Sequence, residues 1–158
     1  MPVPSSGSAF DNILPFTLKY EGGYVNNPND HGGATNFGIT QRTYDHWRIE
    51  NKLPVQDVKL ISNDEVHAIY KEEYWNLICT HTPSIPLLLC TFDSAVLHGP
   101  ARALKWLQAC NNNIDTFCNF RAAFMNAIAQ HDPTQQRFLA GWLHRNELVR
   151  GVAHSWAA

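Results

Sequence analysis

Apolar residues near the start of the chain, Phe10, Ile13, Leu14 and Leu18, recur at spacings of three and four, the period of an amphipathic helix. Asp11 early and Lys19 late suit the helix dipole, and Gly22-Gly23 supplies a left-handed stop. Pro15 either kinks this helix or belongs to its first turn. Tyr24-Val25 and Asn36–Thr40 have strand-like composition, and the turn-rich run from Asn26 to Gly33 lies between them. The pattern predicts a two- or three-stranded ribbon folded back on the first helix. From residue 41 the helical period returns. Gln41 to Asn51 sets Tyr44 and Trp47 on one face, and Pro54 ends that helix. Ser62-x-x-Glu65 is a capping-box pattern opening a helix through Val66, Ile69, Tyr70 and Trp75. Further helices are predicted at 85–97, 101–109, 117–130 and 134–152, divided by Gly99-Pro100, an Asn-rich turn and Asp132-Pro133. The fold class is therefore mainly α: a helical bundle with a small β-hairpin next to the first helix.

Composition bounds the picture without redirecting it. A chain of 158 residues, 44% hydrophobic, suits one domain with a sizeable core. Residues 1–9 read as a flexible leader and 10–158 as a single domain. The leader has neither the charged start nor the apolar stretch of a secretion signal. The longest apolar run, Ile85 to Cys90, is too short to span a membrane and reads as a buried helix beginning at Pro86. Net charge is −2, which implies no strong polyelectrolyte partner and no nucleic acid. Charge is uneven, −5 over residues 1–98 and +3 over 99–158, a difference that an ordinary solvated surface explains as well as steering toward an anionic envelope.

The residue just inside the first helix stop is Glu21. A carboxyl there, faced by a small ribbon carrying Asp30 and Thr35, suits protonation of a glycosidic oxygen. General acid work near neutral pH needs a carboxyl that is reluctant to ionise, and the negative end of a helix dipole pushes that way. Yet Glu before Gly-Gly is also an ordinary exposed helix end, and Asp before Gly an ordinary turn. Spacing by itself leaves both readings open.

The stretch from Leu18 to Thr43, with Glu21-Gly22-Gly23-Tyr24, Gly32–Thr40 and Gln41-Arg42, resembles glycoside hydrolase family 108. Tyr74-Trp75, Phe92–Pro100, Arg102–Gln108 and Phe138–Arg145 are similar to the same family's later motifs, so the resemblance covers roughly residues 10 to 150. It implies a lysozyme-like α+β fold and an N-acetylmuramidase of the kind found as phage endolysins and in bacterial secretion loci. Glu21 would be the general acid. Asp30 would activate water or stabilise positive charge on the sugar, and Thr35 would position the water. Tyr24, Asn36, Gln41 and His98 are the candidate substrate-binding residues. Two departures stand out: Leu97 replaces a polar residue before His98-Gly99, and the segment Cys110–Thr116 is short where the family carries an insert.

The implied partner is the peptidoglycan glycan strand, with no cofactor, no membrane insertion and a monomeric enzyme. Made in the cytoplasm and acting in the periplasm, it would need a holin or an export system for access. The alternatives are a lytic transglycosylase on the same fold and a non-catalytic wall-binding protein. Cys79, Cys90, Cys110 and Cys118 match no zinc spacing, and a disulfide framework does not suit a chain without a secretion signal. They read as free, mostly buried thiols, although pairing of Cys90 with His81 or His98 in a cysteine peptidase stays open. Trp47, Trp75 and Trp106 read as core, with a sugar-lining role second.

Overall fold

Ala9, almost fully buried, opens helix α1 (Ala9–Glu21), and Pro15 lies inside it, not in its first turn. The computed structural model describes residues 9–26 and 33–158. The leader expected at 1–9 therefore lies, up to residue 8, outside the described residues, as does Asp30. Two short strands, β1 (Thr35–Asn36) and β2 (Ile39–Thr40), follow as an antiparallel hairpin with Thr35 opposite Thr40 and Asn36 opposite Ile39. Val25 bridges to Thr35, which supplies a third stretch of the ribbon. Then come α2 (Gln41–Glu50), a 3-10 turn (Val58–Leu60) and α3 (Asn63–Tyr70). The rest is helical: α4 (Asn76–Ile78), α5 (Ile85–His98), α6 (Pro100–Ala109), α7 (Ile114–His131) and α8 (Gln136–Ala157).

The chain divides into two compact units, Leu14–Glu73 and Tyr74–Ala158 together with Ala9–Ile13. The larger is built around α5, which packs chiefly on α6 and α8. Every α5 residue from Pro86 to Ala95 is buried, so the helix is apolar nearly all round, as a central helix has to be. Phe10, Trp75 and Phe92 form an aromatic cluster with ring centroids 5.3–5.9 Å apart. Asp93 is the one carboxylate in the buried run, and it pairs with Arg121 and Arg145 at 2.8 Å each. Burial works against its ionisation, but the two guanidinium groups outweigh that and hold the carboxyl below its ordinary value. All four cysteines are free, with Cys90, Cys110 and Cys118 buried.

In the smaller unit the connection from α2 to α3 is fixed by buried polar bonds. Arg48 donates to the Pro54 carbonyl at 2.6 Å and pairs with Glu65, which also accepts from the Tyr44 hydroxyl at 2.7 Å. Ser62 and Glu65 close the capping box that opens α3. Where α3 ends, the chain widens into a π-helical turn, Lys71–Trp75. Buried Tyr70 and Trp75 are five apart, the spacing that an i→i+5 turn bonds and an α-helix does not.

Candidate active site

Glu21 is the last residue of α1, and Gly22 follows in the left-handed region with φ of 73°. That is the glycine stop expected of the sequence, and it leaves the Glu21 side chain half-buried at the helix end. The hairpin turns back against this carboxyl. Its two turn residues, Phe37 and Gly38, both have positive φ (51° and 76°), the left-handed pair that a tight two-residue hairpin requires. Glycine at the second position is demanded by space as well. A Cβ on Gly38 would lie 2.8 Å from Glu21 Oε2, 2.8 Å from the Tyr70 hydroxyl and 3.1 Å from Glu21 Cβ. The Tyr70 hydroxyl, at the end of α3, donates to the Phe37 carbonyl at 2.5 Å. The Glu21 side chain is thus packed on bare backbone, with a tyrosine on the same turn.

Thr35 lies half-buried in β1, and its backbone exchanges two 2.8 Å hydrogen bonds with Val25. Tyr24 is exposed, with Lys59 Nζ 5.6 Å from its ring centre. Asn36 is buried, and its amide donates to the Val58 carbonyl at 3.1 Å. Gln41 donates to Asp45 at 2.7 Å and to the Gln56 carbonyl at 2.9 Å, and accepts from the Val58 amide at 2.7 Å. Both amides therefore anchor the 56–59 segment to the hairpin and α2. His98 belongs to the larger unit, at the end of α5. Its ring packs edge-on against Trp106 and Phe124, with centroids 5.6 and 5.3 Å away. Its Nε2 is buried without a hydrogen-bond partner among the described residues. Burial, reinforced by the nearby Arg121, pushes this imidazole down to about 3.

Gly38, Phe37 and Tyr70 were not legible as site residues. A glycine flanked by Phe and Ile reads as a turn, and Tyr70 reads as core at helical spacing. Among the described residues no cluster of three or more His, Cys, Asp or Glu is arranged to hold a metal ion. No helix there is long and apolar enough to cross a membrane.

A mainly helical fold with a small hairpin laid against a glutamate at the end of the first helix is the lysozyme-like arrangement. The profile of glycosyl hydrolase 108 matches residues 14–99, a span holding Glu21 and every other nominated site residue. The chain belongs to glycosyl hydrolase family 108, and it is a glycoside hydrolase of the peptidoglycan-degrading kind. The solved structure of Brucella abortus SagA is similar over 96% of this chain and 97% of that one, at 30% identity and a TM-score of 0.75. No curated protein matches.

Proposed function

We propose that the protein is an N-acetylmuramidase that hydrolyses the β-1,4 bond between N-acetylmuramic acid and N-acetylglucosamine. Glu21 protonates the leaving oxygen. Asp30 activates water or stabilises positive charge on the sugar, and Thr35 positions the water. The observation that carries this reading is the Glu21 carboxyl at the end of α1, pressed on the Gly38 backbone. A general acid gains from such a wall, because fixed backbone holds it in one rotamer without offering a competing positive charge. Tyr24 is the nominated substrate-binding residue whose side chain has the most exposure to meet a sugar.

Turnover of purified sacculi tests the assignment. The Glu21→Gln variant is expected to fold normally and to lose about 10²-fold or more in muropeptide release. A variant as active as the parent sinks it. Mass spectrometry of the products separates the two chemistries, since hydrolysis leaves a reducing end while a transglycosylase leaves a 1,6-anhydro sugar lighter by one water. Sacculus binding without any release would instead mark a wall-binding protein. In biological setting we place the enzyme with phage endolysins, reaching the periplasmic wall through a holin pore or an export system. Lysis of a Gram-negative host that depends on a co-expressed holin is the expected result. No lysis even after permeabilisation rules that setting out.

A further inference from the structure

The backbone of the hairpin turn lies against the Glu21 side chain. The position of that turn is set from outside the hairpin. The Phe37 carbonyl belongs to the central peptide of a two-residue turn, a group outside the ladder between Thr35–Asn36 and Ile39–Thr40. Tyr70 supplies the donor at 2.5 Å, from a side chain 1% exposed and therefore itself fixed by packing. The other end of the same peptide plane is Gly38, the backbone against which Glu21 packs.

We propose that Tyr70 is a positioning residue for the Glu21 carboxyl, acting by holding the Phe37–Gly38 peptide plane in place. The inference rests on Glu21 being the acid. A peptide plane tethered at its carbonyl cannot rotate, so the Gly38 surface under the carboxyl keeps its height and tilt. A phenol has one proton, and here it is given to Phe37. Without the hydroxyl the turn carbonyl loses its donor, the plane is free to rock, and the carboxyl loses the surface that selects its rotamer. Misplacement of a reacting group by about 1 Å is enough to cost about 10²-fold in rate. Tyr70 is also the residue from which α3 widens into the π-turn, an irregularity frequent at functional sites.

The test is Tyr70→Phe, which keeps the ring and removes the oxygen. The expected result is a fall in kcat of about 10- to 100-fold with KM within about twofold of the parent. The second readout is the ¹³C resonance of the Glu21 carboxyl, assigned by its loss in Glu21→Gln. It is expected to move in Tyr70→Phe, whereas a residue that only stabilised the fold would leave it in place. An unmoved resonance overturns the proposal whatever the turnover, and so does full turnover when Glu21→Gln is inactive. Should Glu21→Gln keep its activity, the acid assignment falls separately, and the resonance alone decides whether Tyr70 positions that carboxyl. If Tyr70→Phe does not fold, 3-fluorotyrosine at position 70 keeps the hydroxyl and makes it a stronger donor. The same resonance is then expected to move, and its constancy overturns the proposal.

Discussion

Two glycines of nearly equal backbone geometry separate conformational strain from crowding beside Glu21. Gly22 and Gly38 have φ of 73° and 76°, yet beyond its chain neighbours a Cβ meets nothing within 4 Å at the first and two oxygens at 2.8 Å at the second. Alanine at either position pays the left-handed penalty of about 1–2 kcal/mol. Gly22→Ala should therefore lower stability by about that amount and leave turnover within a few-fold of the parent. Gly38→Ala should lose the same stability and also displace the Glu21 carboxyl, cutting turnover by about 10²-fold. Urea titrations and sacculus turnover on the pair check this, and equal turnover in the two would mean that the crowding at Gly38 is immaterial. Asn36 and Gln41 carry a different lesson at this scale. Both are candidates to meet sugar, and both bond the backbone of 56–59. A sequence shows that an amide is present in a turn-rich stretch, but not whether that amide faces solvent or a buried carbonyl that needs a donor.

Among the elements, those with local determinants were the legible ones. The Gly22 stop, the Ser62–Glu65 capping box and the buried α5 all follow from residues within a turn or two of themselves. Where a boundary moved, a side-chain cap moved it. Helix α7 starts at Ile114, ahead of the expected Phe117, because Asn113 accepts from the Thr116 amide at 2.8 Å. Asp132 likewise opens a 3-10 turn at Pro133–Gln135, which delays α8 to Gln136. Helix α8 also runs past the expected Val152 to Ala157, since Ala153 and Trp156 are buried and hold its last turns in the core. The π-turn after Tyr70 had no local signal. The capping box is the device most open to measurement. Ser62→Ala removes the acceptor for the Glu65 amide, and the expected loss in urea denaturation is about 1 kcal/mol. Glu65 also carries the Arg48 and Tyr44 bonds, so Glu65→Ala should lose clearly more than Ser62→Ala. Equal losses would mean that those two partners add nothing to the cap.

For the molecule as a whole, charge buried in the larger unit sets how the fold responds to acid. Asp93 is flanked by Arg121 and Arg145, and His98 lies close enough to feel all three as well as Arg102. Burial first, and Arg121 next, oppose its protonation. The folded imidazole therefore takes up a proton only near pH 3, against an ordinary value of 6.5. The sign of the effect follows from linkage. Between those two values the unfolded chain binds a proton at residue 98 that the folded chain refuses, so stability falls as the pH drops below about 6.5. The slope from this one group is at most about 1.4 kcal/mol per pH unit. Asp93 contributes in the same direction at more acid pH, since its depressed folded value makes its ion pairs a source of stability that protonation removes. His98→Phe isolates the first effect. Its ring fits the edge-on contacts with Trp106 and Phe124, and it cannot take a proton. Urea titrations at pH 7, 6, 5 and 4 should show the parent losing stability more steeply than the variant, with the gap opening below about pH 6.5. Parallel curves would mean that the folded protein accepts a proton on His98 as readily as the unfolded chain does, and burial of the ring beside Arg121 would not then be what limits the fold in acid.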